Sequence, residues 1–318
     1  RNDMDIIKKL SRSIREYKMV SIMTPVCIVF EVIFEILIPF MMAKMIDSGI
    51  SAGNESALVK YGTLLILCVI AGLVFGILSG GLCATASAGF AKNLRKDMYY
   101  KIQEYSFANI DKFSSSSIVT RLTTDVTNVQ NAYMMIIRIA VRAPFMLIFA
   151  LIAAFMTSTK LSLIFLIAIP VLGIGLYIIV SRSHIYFERV FKIYDNLNEV
   201  VEENLTGMRV VKSFVREDFE EKNFTRVSEA IYKMFLKAEG IVAYNMPLMQ
   251  FCIYSCMLFL CWFGARMIIT SGATALTTGE LTSLIAYAMT ILNCLMMLSM
   301  VMVMINMARA SAERIVEI

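Results

Sequence analysis

Two carboxylates, Glu31 and Glu35, interrupt an otherwise apolar stretch, FEVIFEIL, at residues 30–37. Residues four apart lie on one face of an α-helix, so we expect both side chains to point the same way. Ionised groups in a membrane-spanning helix are costly and usually face a bundle interior or a water-filled cavity. The pair therefore indicates either a cation-attracting or proton-linked ligand site, or an ion pair with a basic residue of another helix.

The surrounding sequence is typical of a membrane protein. It is 58% hydrophobic and 17% charged, whereas soluble domains are about 25% charged. Six segments are apolar and long enough to cross a bilayer, which takes about 20 residues each. We predict an all-α membrane protein of six transmembrane helices with long cytosolic helical extensions. The predicted helices are 19–47, 60–91, 140–158, 161–182, 240–268 and 281–308.

The positions of the basic residues predict the orientation of these helices. If residues 1–18 are inside, the inner regions hold all but four of the 30 Lys and Arg residues. Such a bias is typical of cytoplasmic segments. We therefore expect a multi-pass protein of the plasma (inner) membrane with both termini cytoplasmic. Because this topology accounts for the net charge of +5, no nucleic-acid partner is expected.

Depth along the helices suggests a partner for one of the two carboxylates. Arg142 precedes Thr157, the predicted outer end of the third helix, by nearly the same number of residues as Glu31 precedes Asp47, the outer end of the first. At a rise of 1.5 Å per residue, both lie about 23 Å below those ends. We predict that Glu31 pairs with Arg142, while Glu35, which is higher, remains free for a ligand.

The two inner connections, 92–142 and 182–237, are much longer than the outer loops. Apolar residues recur at steps of three or four through 190–211, which predicts an amphipathic helix continuing the fourth membrane segment. Turn-forming and charged residues then mark a tip in each connection, at about 109–117 and 213–222. Each tip is expected to contact a cytosolic partner.

Sequence motifs for catalysis or cofactor binding are absent. No glycine precedes a lysine, so there is no Walker A loop. The seven cysteines lack metal-ligand or redox spacing and are expected to be reduced packing residues. We predict no catalytic residue, no metal site and no cofactor in this chain, so that the energy for any transport comes from an ion gradient or another domain.

Three stretches carry a resemblance to a known family: DKFSSSSIVTRLTTDVTNVQNAYMMIIRIAVRAPFMLI (111–148), NEVVEENLTGMRVVKSFVREDFEEKNF (198–224) and GELTSLIAYAMTILNCLMMLSMVMVMINMARASAERIVEI (279–318). Together with six membrane helices, long inner hairpins and short outer loops, they resemble the transmembrane domain of type IV ABC exporters. The stretch MMIIRIAVRAP (134–144), which runs into the third predicted helix, is most similar to one half of the bacterial heterodimeric multidrug exporters.

This resemblance implies that the polypeptide continues past Ile318 into a nucleotide-binding domain that holds ATP and Mg. It also implies a second, different exporter half, with which this one encloses a central cavity. ATP-driven closure of the nucleotide-binding domains would turn that cavity outward, so the complete transporter would be a transport-coupled ATPase working by alternating access. The two tips would be coupling helices, with Asp111 and Phe113 at the first tip and Phe214, Arg216, Glu217 and Phe219 at the second.

The same resemblance implies a cavity for amphipathic drugs or lipids taken from the cytosol or the inner leaflet. Flexible, polarizable methionines suit walls that re-pack around different ligands, although plain packing also accounts for methionines at helical spacing. A gradient-driven secondary transporter or channel is the alternative, but its charges would be spread over several helices. The predicted cavity residues are Glu31, Phe34, Glu35, Met135, Arg142, Asn293, Met297 and Met300.

Overall fold

The computed structural model describes residues 3–105 and 115–317, and all regular secondary structure within those residues is helical. A 3₁₀ helix at Arg12–Tyr17 and two π-helical turns, Ile46–Ile50 and Arg121–Asp125, connect some of the α-helices. In chain order the α-helices are α1 (Asp3–Ser11), α2 (Lys18–Met45), α3 (Glu55–Gln103), α4 (Ser115–Thr120), α5 (Val126–Thr157), α6 (Thr159–Thr206), α7 (Met208–Ser213), α8 (Glu217–Val242), α9 (Asn245–Ser271) and α10 (Thr278–Val316).

The predicted fold class is confirmed. Six helical stretches are long and apolar enough to cross a membrane, and each contains one predicted segment, except that the third stretch ends at Thr157, one residue early. The fourth continues without interruption as the 48-residue α6, which is about 72 Å long. The predicted helical extension of the fourth segment is therefore present.

The chain divides into two compact units, one formed by residues up to 169 together with those from 253 onward, the other by residues 170–252. The two largest apolar cores described in the first unit are separate from each other. The larger includes Ile28, Val32, Phe165, Leu260, Tyr287 and Ile291, all nearly inaccessible to solvent. The smaller includes Ile6, Phe90, Leu94, Val126, Ala312 and Ile315.

In the second unit, the chain reverses direction after α6. Gly207 ends that helix, the six-residue α7 follows, and α8 begins at Glu217. Between α7 and α8, Val215 adopts a φ of +53°, which lies in the left-handed region that residues other than glycine rarely adopt. The predicted second tip, 213–222, thus covers this turn and the start of α8. Most of the predicted first tip, including Asp111 and Phe113, lies outside the described residues.

Helices α2 and α3 approach closely along a stripe of glycines. A Cβ atom placed on Gly72 would lie 3.8 Å from the Cβ of Phe34, and one on Gly76 would lie 3.4 Å from a carboxylate oxygen of Glu31. Between these two glycines along the chain, Phe75 stacks against Phe34 with ring centroids 5.8 Å apart. Because glycine has no side chain, the Glu31 carboxylate of α2 can lie against the backbone of α3. Small residues allow such close approach at membrane helix contacts.

At the start of α10, Asp47 holds the helix N-terminus. Its carboxylate accepts hydrogen bonds from the Thr277 hydroxyl at 2.5 Å and the Gly279 amide at 2.9 Å. Thr277 and Glu280 also form a capping box, in which each side chain bonds the other residue's amide. A Cβ on Gly279 would overlap the Ala43 carbonyl oxygen and lie 2.7 Å from an Asp47 oxygen.

The substitution Gly279→Ala is therefore expected to destabilise the first unit by about 1–3 kcal/mol, since the added methyl group displaces backbone rather than a flexible side chain. Thermal unfolding in a mild detergent would measure the change. Gly62→Ala is the matched control, because a Cβ on this helical glycine meets no atom within 4 Å. Equal melting temperatures for the two variants would contradict the prediction.

Candidate functional site

An ion-pair cluster lies among the apolar helices of the first unit. The Arg142 guanidinium of α5 donates to both carboxylates of α2, through one terminal nitrogen to Glu31 and through the other to Glu35 at 2.6 Å. Glu31 also accepts a hydrogen bond from the Ser79 hydroxyl of α3 at 3.2 Å. The cluster therefore joins three helices by charge-assisted hydrogen bonds, which are roughly twice as strong as neutral ones.

The predicted pair between Glu31 and Arg142 is confirmed, but the prediction that Glu35 stays free is wrong. The physical reason is the shape of the guanidinium, whose terminal nitrogens form a planar fork of donors. Carboxylates one helical turn apart are close enough for one such fork to reach both. Counting residues along the helix places Arg142 at the depth of Glu31 alone, although its side chain bonds carboxylates on two successive turns of α2.

An open cavity of about 440 Å³ lies beside the cluster. The three side chains differ in exposure: 13% for Glu31, 25% for Arg142 and 43% for Glu35. Glu35 is therefore the carboxylate that a ligand in the cavity reaches most easily. The cavity is lined by Glu31, Glu35, Ile38, Val69, Gly72, Leu73, Gly76, Ile77, Arg138 and Arg142.

A second arginine, Arg138, lines the same cavity one turn before Arg142 on α5. Its Nη2 lies 3.9 Å from the position of a Cβ on Gly80, so its guanidinium approaches α3 one turn beyond Gly76. Among the described residues, no carboxylate oxygen lies within 4.0 Å of it. The cavity thus carries two negative and two positive side chains, and one of the positive ones is unpaired within the described part of the chain.

The main chain of α2 is supported at the level of the cluster. Pro39 lies within α2 and lacks an amide hydrogen, so the helical hydrogen bond to the carbonyl of Glu35 cannot form. The neighbouring carbonyl, that of Ile36, accepts a hydrogen bond at 3.1 Å from the buried Tyr287 hydroxyl of α10. Tyr287 therefore connects α10 to the turn of α2 that carries Glu35.

Comparison with known proteins identifies the family to which this architecture belongs. Residues 21–296 match the ABC transporter transmembrane region. The chain belongs to this family. It is the type of transmembrane domain found in ABC exporters, as the sequence motifs indicate.

Relatives of this ABC transporter domain match nearly all of the chain. Identity is 30% over 312 residues, or 98% of the chain and 54% of the relative, to the uncharacterized ABC transporter ATP-binding protein YfiB of Bacillus subtilis (strain 168). It is 27% over 320 residues, 98% and 53% respectively, to the uncharacterized ABC transporter ATP-binding protein MT1311 of Mycobacterium tuberculosis (strain CDC 1551 / Oshkosh). The ATP-dependent lipid A-core flippase of Pseudoalteromonas translucida (strain TAC 125) is 24% identical over 295 residues, 92% and 50%. The chain spans about half the length of the curated relatives it matches.

The other predicted cavity residues of this ABC transporter domain are not among those that line the 440 Å³ cavity. Phe34 stacks on Phe75, and neither it nor Met135 is among the residues lining the 440 Å³ cavity. The residues predicted on α10, Asn293, Met297 and Met300, do not line that cavity either. Met297 and Met300 are 47% and 64% exposed, and Asn293 is exposed one turn before Met297. These three form an open face of α10, and their role toward a substrate stays a prediction.

The second predicted coupling tip presents apolar side chains to solvent. Phe214 is 74% exposed and Phe219 is 57% exposed. The Arg216 guanidinium lies 5.5 Å from the centroid of the Phe219 ring, and Glu217 forms an ion pair with Lys212 at 3.2 Å. The residues predicted at this tip are therefore grouped and accessible, and their contact with a nucleotide-binding domain remains a prediction.

One polar cluster was not predicted from the sequence. Near the end of α10, Arg314 donates to both oxygens of Asp125 at 2.9 and 2.5 Å. Arg121 donates to the Arg314 carbonyl at 2.7 Å and to the Glu317 carboxylate at 2.8 Å. The sequence signal for this cluster is weak. It consists of two oppositely charged residues about one turn apart in each of two segments, Arg121 with Asp125 and Arg314 with Glu317. We call these four residues the α10 latch.

Proposed function

We propose that this chain is the membrane-spanning half of an ATP-driven exporter that moves amphipathic drugs or lipids outward by alternating access. The carrying observation is the Glu31–Glu35–Arg142 cluster, which lines an open cavity in a domain of the ABC transporter family. Charged groups in apolar helices mark substrate or ion pathways in many membrane proteins. A cavity with charged and apolar walls suits a ligand that is itself amphipathic.

Several further features support this proposal. The chain matches about half of relatives that are named ATP-binding proteins, and one relative is named a lipid flippase. We infer that the complete polypeptide includes a nucleotide-binding domain with ATP and Mg, and that it works with a second, different half. We also infer an inner-membrane location with cytoplasmic termini, because the basic residues concentrate in the same connections that form the long helical extensions.

The proposed function is tested with the complete protein and its partner half in inside-out membrane vesicles. Uptake of a cationic amphipathic dye and of a fluorescent phospholipid would be followed with and without ATP and Mg, and again with a proton ionophore. We expect uptake that requires ATP and survives the ionophore. Uptake that stops with the ionophore and proceeds without ATP would instead establish the gradient-driven alternative.

The same vesicles test the part played by the cluster. Glu35→Gln is expected to slow ATP-dependent dye uptake about tenfold, because it removes the most exposed negative charge of the cavity, and a charge-assisted contact of this kind contributes at least about 1.5 kcal/mol. Glu229→Gln is the matched control, since Glu229 forms an exposed pair with Lys233 in the second unit. Equal uptake by Glu35→Gln and the control would remove Glu35 from the substrate path.

A further inference from the structure

We propose that Arg138 binds the phosphate group of an amphipathic ligand in the cavity between α2, α3 and α5. The binding itself is argued from geometry, whereas transport of the bound compound rests on the proposed function. The proposal assigns an anionic ligand to a cavity that carries two carboxylates as well as two arginines.

The first argument is the distribution of charge. Both carboxylates of the cavity already accept from Arg142, and Arg138 has no carboxylate partner within the described residues. Arg138 is exposed, so its guanidinium is accessible to a ligand that enters the cavity. An anion supplied by a ligand would compensate Arg138 without disturbing the pairs that Arg142 makes.

The second argument is the position of the guanidinium. The Glu31 carboxylate lies against Gly76, and Arg138 lies against Gly80, four residues further along α3. Four residues correspond to about 6 Å along a helix, so the two groups belong to successive turns. Gly80 places no side chain between Arg138 and α3, so a phosphate beside the guanidinium could approach that helix and accept two parallel hydrogen bonds from the arginine.

The third argument is the remainder of the wall. Ile38, Val69, Leu73 and Ile77 supply apolar surface to the same cavity, and Leu73 and Ile77 are 60% and 66% exposed. A volume of about 440 Å³ lies within the range of small-molecule sites and accommodates a headgroup with the first part of a chain. A cation at one end and an apolar wall beside it match a phosphate ester of an alkyl chain better than a free ion.

The test measures binding to the complete transporter, free of nucleotide, in a non-ionic detergent. Three probes would be titrated by calorimetry: dodecyl phosphate, dodecyltrimethylammonium and inorganic phosphate. The variants are Arg138→Gln, Arg138→Lys and, as the matched control, Arg266→Gln, which changes an exposed arginine of α9. We expect Arg138→Gln to weaken dodecyl phosphate binding about tenfold or more, as for loss of a charge-assisted contact, and the control to stay close to wild type. Arg138→Lys is expected to lie between them, because lysine keeps the charge but not the two parallel donors.

Three outcomes would overturn the proposal. These are unchanged dodecyl phosphate affinity in Arg138→Gln, an equal loss for the trimethylammonium probe, and an equal loss in Arg266→Gln. If inorganic phosphate binds as tightly as dodecyl phosphate, the ligand is a free anion and the amphiphile is excluded. Should Arg138→Gln fail to fold, Gly80→Leu places bulk beside the guanidinium and is expected to give the same loss.

Binding is measured without ATP, so its result is separable from that of the proposed function. Vesicles that show no ATP-dependent uptake would leave a measured Arg138-dependent affinity in place. ATP-dependent uptake together with unchanged affinity in Arg138→Gln would reject this site alone.

Discussion

Replacing Arg142 with methionine is expected to lower the free energy of unfolding of the first unit by about 3–5 kcal/mol, because removing one partner of a buried ion pair leaves uncompensated charge. The arginine is the only cation bonded to Glu31 and Glu35 in the described structure, and Glu31 is only 13% exposed. The methionine side chain retains much of the length and volume of the arginine stem. Thermal unfolding followed by size-exclusion chromatography in detergent would measure the loss.

The two carboxylates supply an internal control for this prediction. In the triple variant Arg142→Met, Glu31→Gln, Glu35→Gln, neither residue 31 nor residue 35 is left as an unpaired charge, so part of the lost stability is expected to return. Glu31→Gln alone is expected to cost more than Glu35→Gln, because Glu31 is less exposed and also bonds Ser79. Lys233→Met removes an exposed pair in the second unit and is expected to cost less than about 1 kcal/mol. Equal melting temperatures for Arg142→Met and Lys233→Met would contradict the prediction.

The features that the sequence predicts are those that depend on one helix at a time. Runs of apolar residues place six helices correctly, because a membrane-spanning helix satisfies its own backbone and needs only length and apolar composition. The pair between Glu31 and Arg142 could also be predicted from the sequence, because counting residues from the end of each helix gives the depth of each side chain in the membrane.

The missed features depend on the rotation of one helix about its axis relative to another. Depth does not reveal that the Arg142 fork spans two turns of α2, nor that the Tyr287 hydroxyl reaches the Ile36 carbonyl. The contact between Asp47 and the Gly279 amide likewise joins a side chain to a backbone group 232 residues away. Such contacts are set by packing of the whole unit, which leaves no local periodicity in the sequence.

Breaking the α10 latch is the second change for which we expect a large loss of stability. Asp125 is fully buried, and Arg314 bonds both of its oxygens while remaining 52% exposed itself. In Arg314→Met the aspartate loses the guanidinium that neutralises it, so we expect a cost of about 3–5 kcal/mol. In Asp125→Asn the arginine can turn to water, so the expected cost is smaller, about 1–3 kcal/mol.

Arg309→Met is the matched control for the latch, because its pair with Glu313 lies on the same helix and both side chains are about half exposed. That variant is expected to change stability by less than about 1 kcal/mol. Melting temperatures of the three variants should therefore fall in the order Arg309→Met, Asp125→Asn, Arg314→Met. If Asp125→Asn proves the most damaging, the hydrogen bonds of the carboxylate to the end of α10 stabilise the latch more than neutralisation of the buried charge does. Because Arg314 and Asp125 join the last turns of α10 to the segment Arg121–Asp125, the loss in Arg314→Met also measures how firmly the two are held together.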